Sequence, residues 1–328
     1  MLKHWPLILL PIFLFIQCTK EDASKPDKNR VSPLEWQTGK NAYMMEVDSV
    51  ERQYIIHVPA NYDSTRPTPL VFMFHGSGGT GEKMYNVTEW VAKSEEVGCI
   101  VVFPTALEYF VLSKNREQTK WSKLNLVALL PPGTKVKDDV PFVKAMLEKV
   151  AATFNIDKAR IFATGFSNGE GFCRTRLALE MDDVFASITG AGGWGGPFAM
   201  RDIHPETVLS QYYILGNRDP KVLEGLQRKK PIPMDAKGFF EIENGALKFQ
   251  VENVTLANRF DFEYSEESNA NHTRIHFQKM DGVESKEQLT FHLIKGMLHK
   301  YPKPTNNPAG VSGVKIFWDF HMKHIKER

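Results

Sequence analysis

Five residues, Gly165-Phe166-Ser167-Asn168-Gly169, constrain what this chain can fold into more than any others. They follow a short apolar run, Arg160-Ile161-Phe162-Ala163-Thr164, and precede a helix-like stretch that continues through Leu179. A strand that becomes a helix within so few residues needs a tight turn, which forces the central serine into a strained backbone conformation. Glycines on either side keep the strand and the helix from clashing there. G-x-S-x-G by itself arises by chance, so its weight comes from the strand before it and the helix after it.

The remaining sequence has room for a large domain around that turn. A chain of 328 residues is long for one average domain, but alternating strand and helix folds reach this length as one unit. The apolar share of 42% and the charged share of 24% are those of an ordinary globular protein. A formal net charge of +2, with no basic stripe, argues against nucleic acid as a partner. The N-terminus reads separately. Lys3 precedes an apolar run over 5–16, interrupted by Pro6 and Pro11 and too short to cross a bilayer as a helix. Residues 1–18 therefore read as a signal peptide. The run ends Leu14-Phe15-Ile16-Gln17-Cys18, which resembles a bacterial lipobox, although Gln17 stands where a small residue is usual. The expectation is lipidation at Cys18 and a place in the bacterial cell envelope, on the periplasmic or surface side. The competing reading is plain secretion with Cys18 incidental. Membrane contact is expected only through that anchor. Cys99 and Cys173 are expected as buried free thiols.

Residues 19–40 read as a polar tether, and the folded domain as 41–328. Strands are expected over 54–58, 70–74, 99–103, 160–164, 184–188, 211–215 and 289–294. Helices are expected over 83–96, from Asp138 or Asp139 to 154, after the serine turn, and over 312–324. Residues 107–137 read as irregular. Strands alternating with helices predict an α/β fold with a mostly parallel central sheet and helices on both faces. The stretch 221–286 breaks the alternation and reads either as an insertion or lid over the site or as peripheral decoration.

A serine hydroxyl becomes a nucleophile only with a base to take its proton, a carboxylate to orient that base, and donors for the developing oxyanion. The strand-turn-helix around Ser167 resembles the nucleophile elbow of α/β-hydrolases, where acid and then histidine follow on loops after successive strands. Asp219 follows the strand over 211–215 and is the expected acid; a turn or helix-capping role would also suit it. Asp202, Asp235, Asp261 and Asp281 compete less well, because none directly follows a buried strand. Among the later histidines, His292 lies within a strand, and His321 and His324 fall on the terminal helix, where exposure is expected. His272 and His276 have metal-ligand spacing but lie in an extended stretch with no third ligand, so no metal site is expected. His299, in the loop after the last strand, is the expected base. Oxyanion donors are expected from the backbone of Asn168 and from Ser77, in the loop His75-Gly76-Ser77-Gly78-Gly79. That loop lacks the lysine and hydroxyl of a phosphate loop.

His75-Gly76-Ser77-Gly78-Gly79, Val101-Val102-Phe103-Pro104, Trp121, Asp138-Asp139-Val140-Pro141-Phe142-Val143, the serine turn, Gly216-Asn217-Arg218-Asp219 and the His299 loop occur in sequence. Together they resemble the polyhydroxybutyrate depolymerase and feruloyl esterase group of secreted α/β-hydrolases, over nearly all of the chain after the leader. The resemblance implies serine esterase chemistry on small or oligomeric carboxylic esters, with an acyl-enzyme and no cofactor. Where the group usually has a glycine, this chain has Glu170, placed either to suit a helix N-terminus or to line the mouth and disfavour anionic substrates. Where Trp-Pro usually follows the histidine, this chain has Lys300-Tyr301-Pro302. Trp121 and Trp194, with Tyr109 and Phe110, are candidates for an aromatic substrate pocket. A serine peptidase on the same fold and a non-catalytic binding lipoprotein are the alternatives.

Overall fold

The computed structural model describes residues 31–123, 125–194, 206–279 and 287–327. The expected leader, Cys18, Asp202 and Asp281 lie outside the described residues. The chain opens with an antiparallel pair, β1 (Gly39–Val47) and β2 (Val50–Val58), followed by β3 (Thr68–Phe74). Helices α1 (Gly81–Val87) and α2 (Trp90–Val97) lead to β4 (Ile100–Pro104). A small hairpin, β5 (Glu108–Val111) and β6 (Arg116–Thr119), precedes α3 (Val140–Thr153) and β7 (Ile156–Phe166). From the serine turn, α4 (Asn168–Phe172) runs through a π-helical turn, Cys173–Leu177, into α5 (Ala178–Glu180). Then come β8 (Ser187–Ala191), β9 (Ser210–Gly216), α6 (Pro220–Gly225), α7 (Ala236–Phe240) and α8 (Ala246–Ala257). The chain finishes with β10 (Phe260–Ser268), β11 (His272–Lys279), β12 (Gln288–Ile294) and α9 (Gly313–Lys323).

Ten strands form one sheet in the order β1-β2-β4-β3-β7-β8-β9-β12-β11-β10. The six central strands, β4 to β12 in that order, are parallel, and antiparallel pairs flank them. Every residue of β3, β4, β8 and β9 is buried, as in strands covered on both faces. Alternation along β3 sends Leu70, Phe72 and Phe74 to one core with Val143, Met146 and Val150 of α3. Val71 and Met73 enter the other core, with Trp90 of α2 and Val314, Phe317 and Phe320 of α9. The α/β architecture read from the alternation is therefore the one observed. Parallel strands put their carboxyl ends on one edge, so the loops after β3, β7, β9 and β12 converge there.

Several local expectations are corrected. The single helix over 83–96 is two, broken at Glu89, whose φ is 65°; the break lets Trp90 bury and donate to the Tyr301 hydroxyl at 2.8 Å. The irregular stretch 107–137 contains the β5–β6 hairpin. The strand expected over 184–188 begins later, because Val184 and Phe185 turn back to donate to the Met181 carbonyl. His321 is buried, not exposed: it stacks on Phe162 and bonds Ser187 and Thr189 beneath α9. In the stretch 221–279, β11 and β10 extend one end of the sheet and α6 stands at the mouth described below.

Candidate active site

Ser167 occupies the turn between β7 and α4 with φ 53° and ψ −114°. That strained geometry persists because its surroundings over-determine it. The Ser167 amide donates to the Ala191 carbonyl at 2.7 Å, and its carbonyl accepts from Gly171 at 3.0 Å. The flanking glycines are required by close approach. A Cβ on Gly165 would lie 2.4 Å from the Glu170 nitrogen, and one on Gly169 would lie 2.4 Å from the Phe74 carbonyl oxygen.

The structure brings Ser167, His299 and Asp219 together from three loops. His299 Nε2 lies 3.0 Å from Ser167 Oγ, and His299 Nδ1 lies 2.7 Å from Asp219 Oδ2. Asp219 is fully buried and His299 is partly exposed. The other Asp219 oxygen accepts from the backbone of Lys221 at 2.8 Å and Val222 at 3.3 Å, capping α6. One carboxylate therefore both meets His299 and caps α6. Of its described competitors, Asp235 caps α7 and Asp261 lies within β10.

The loop after β3 closes the other side. A Cβ on Gly76 would come within 3.1 Å of the Ser167 Cβ, and Ser77 lines the same cleft as Ser167. His75 anchors this loop from below, with Nδ1 2.7 Å from the Gly76 carbonyl oxygen and Nε2 accepting from Ala106 at 2.9 Å. Burial lowers the His75 pKa to about 4. Asn168 is buried, and its side-chain oxygen accepts from the Trp121 amide at 2.7 Å.

Four of the residues expected at the substrate pocket, Trp121, Glu170, Tyr109 and Phe110, do not line the cleft. Trp121 is fully buried, packed on Phe74, His75 and Phe172, with Nε1 donating to the His75 carbonyl at 2.9 Å. It supports the loop carrying Ser77 from behind. Glu170 does not line the mouth either. It is fully buried, and its Oε1 accepts from Arg174 Nε at 2.8 Å. Burial pushes the Glu170 carboxyl above its usual range, and Arg174 pulls it back. A Cβ on Gly193 would overlap this carboxylate, so Glu170 fills the space beneath the turn at 190–193. Arg174 also lies 4.1 Å from the Trp194 ring centre. Trp194 does line the cleft; Tyr109 and Phe110 do not.

The cleft over Ser167 holds about 680 Å³ and is lined by cations. Lys83, Lys114, Arg116, Lys120, Lys123 and Lys221 face it, and Glu224 is the one acid lining it among the described residues. Lys120 Nζ donates to Ser77 Oγ at 2.8 Å. Burial, then Lys114 and Lys221, lower Lys120 to about 8. Burial, then Arg174 and Lys120, lower Lys123 to about 8. Sequence reasoning missed this group. Its signal was the local run of bases in Lys114-Asn115-Arg116-Glu117-Gln118-Thr119-Lys120-Trp121-Ser122-Lys123, diluted by a near-neutral whole. Alternation along β6 puts Arg116 and Gln118 on the cleft side and leaves Glu117 out of it.

The chain is similar to known proteins over part of its length. Residues 60–211 match the phospholipase/carboxylesterase family. Feruloyl esterase C of Emericella nidulans is 27% identical over 166 residues, covering 47% of this chain and 53% of that protein. Feruloyl esterase B of Talaromyces funiculosus is 26% identical over 147 residues, 45% of this chain and 37% of the relative. The chain thus spans about half the length, or less, of the curated relatives it matches. Among solved structures, an S-formylglutathione hydrolase from Agrobacterium tumefaciens superposes with a TM-score of 0.56 at 13% identity, over 90% of this chain and all of its own. An acetyl xylan esterase from Aspergillus awamori gives 0.51 at 15% identity, over 85% of this chain and 98% of that one. These two likenesses establish the fold. The chain has the α/β-hydrolase fold, and about half of its length is similar to the feruloyl esterases.

Proposed function

We propose that this protein is a serine esterase that cleaves carboxylic esters through an acyl-enzyme. The observation that carries the reading is His299, which touches Ser167 Oγ with one ring nitrogen and the buried Asp219 carboxylate with the other. Ser167 Oγ attacks the ester carbonyl while His299 Nε2 takes its proton. The imidazolium is held by Asp219, which fixes the tautomer with the proton on Nδ1. The backbone N–H groups of Asn168 and Ser77 receive the oxyanion. His299 then gives its proton to the leaving alcohol, and a water activated by the same nitrogen releases the acid. Feruloyl, acetyl-sugar and short hydroxyalkanoate esters are the substrate kinds to screen, the first because the relatives are named feruloyl esterases. The leader and Cys18 would deliver the enzyme to the cell envelope, which radiolabelled palmitate incorporation, lost in Cys18→Ala, tests.

The decisive experiment is Ser167→Ala. It should keep the fold by circular dichroism, lose labelling by a fluorophosphonate probe, and lower kcat/KM on 4-nitrophenyl butyrate by at least about 10⁴-fold. Undiminished turnover in that variant would overturn the reading. Faster cleavage of peptide amides than of matched esters would move the enzyme to the peptidases.

A further inference from the structure

We propose that the ester taken by this site is anionic, bearing carboxylate or phosphate groups that the cations around the cleft seat beside Ser167. The proposal rests on the esterase reading and specifies its substrate class. Charge over the whole chain is nearly balanced, with 41 Lys and Arg against 39 Asp and Glu. The cleft is not: six cations face it against Glu224 alone among the described residues. A second cavity of about 480 Å³ shows what an unselected surface looks like here. Asp183, Glu287 and Glu327 line it together with Lys323 and Lys326. The skew therefore belongs to the recess that holds the nucleophile.

The cations come from separate parts of the chain and converge. Lys83 lies on α1, Lys114 and Arg116 at the β5–β6 hairpin, Lys120 and Lys123 beyond it, and Lys221 on α6. Among the described residues, Lys83, Lys114, Arg116 and Lys123 make no salt bridge to a carboxylate, whereas Lys221 pairs with Glu224 at 3.3 Å. Cations that outnumber their counter-charges repel one another, so the arrangement costs stability unless an anion occupies it. Lys120, bonded to the Ser77 hydroxyl, brings the group up to the reaction centre. Lysines present point charges without a bidentate fork, which suits charge selection over recognition of one fixed geometry.

Two matched ester pairs test this. In one the charge is on the acyl side: 4-nitrophenyl butyrate against 4-nitrophenyl hydrogen glutarate. In the other it is on the alcohol side: 4-acetoxybenzamide against 4-acetoxybenzoate, with 4-acetoxyphenyl phosphate added to separate phosphate from carboxylate. Each rate is divided by the ester's own hydroxide rate. The charged member of at least one pair should have kcat/KM about tenfold above its neutral partner at about 20 mM salt, and the advantage should collapse near 500 mM as screening shortens. Lys114→Gln/Lys221→Gln should cut the charged-to-neutral ratio by about tenfold. Lys315→Gln, on the outer helix α9, should not change it. Neutral esters cleaved as fast as charged ones in every comparison, or a preference indifferent to salt, overturns the anionic assignment while the esterase reading stands. Failure to cleave any of them overturns both.

Discussion

Mild acid should unfold this protein through three histidines that burial keeps uncharged. His75, His292 and His321 are fully buried. Burial lowers them from 6.5 to about 4, about 3 and about 3 respectively. His292 is further depressed by Arg274, His272 and His276, and His321 by His324. In the unfolded chain these rings bind a proton below pH 6.5, whereas in the folded protein they do not until pH 4 or lower. Between those limits the unfolded state holds more protons, so stability falls as pH falls. At pH 5.5 each histidine costs about 1.4 kcal/mol, and the three together about 4 kcal/mol. At pH 4.5 the sum is about 8 kcal/mol, comparable with the whole stability of a typical domain. Glu170 and Asp139, whose carboxyls burial raises, act with the opposite sign and reduce the net slope. Urea unfolding followed by fluorescence of the buried Trp90, Trp121 and Trp194 should therefore show its midpoint dropping by roughly 1 M between pH 7.5 and 5.5. His321→Gln, which can still bond Ser187, should remove about a third of the histidine slope. A midpoint that stays level from pH 7.5 to 5.5 would refute the reasoning.

Other outcomes follow from the site. Glu170→Gln takes the buried carboxylate charge away from the Arg174 guanidinium and should destabilise by about 3–5 kcal/mol in the same unfolding assay. Most of that loss should return in Glu170→Gln/Arg174→Met, and a single-variant loss below about 1 kcal/mol would contradict the buried pairing. Asp219→Asn keeps a side-chain oxygen to cap α6, so the fold should survive, while kcat on 4-nitrophenyl butyrate falls on the order of 10⁴-fold through misorientation of His299. Asp235→Asn, at the cap of α7, should not change kcat; the reverse pattern would reassign the acid.

What could be read from the sequence was local in cause. The turn at Ser167 needs glycine at 165 and 169 because backbones approach there, and that requirement is written in adjacent residues. Asp219, His299 and Ser77 were legible because each directly follows a buried parallel strand. What was illegible depended on partners distant in the chain. Arg174 lies one helical turn from Glu170, yet the pair is buried by Gly190, Gly193, Trp194 and Tyr213 from later in the chain. The sequence leaves the cap of α3 between Asp138 and Asp139; the Asp138 carboxylate accepts from the Val140 amide, while Asp139 takes Arg52 and Ser122 as partners within the core. Trp121, aromatic and in a loop, is a candidate for substrate contact or for packing from the sequence, and Phe74 and Phe172 claim its faces. The cleft cations are drawn from positions 83 to 221, and the short basic run over 114–123 is their one local trace in the sequence.

In the proposed reaction the two oxygens of Asp219 tie catalysis to the choice of substrate. One bonds His299; the other sets where α6 begins, and α6 carries Lys221 and Glu224 into the cleft. A drift of that carboxylate would move His299 and one wall of the cleft in the same step. Variation that retunes which ester is accepted therefore has freer ground on the β5–β6 hairpin, whose cations are mounted independently of the triad. Descendants of this protein that change substrate should record the change at Lys114 and Arg116 before they record it on α6.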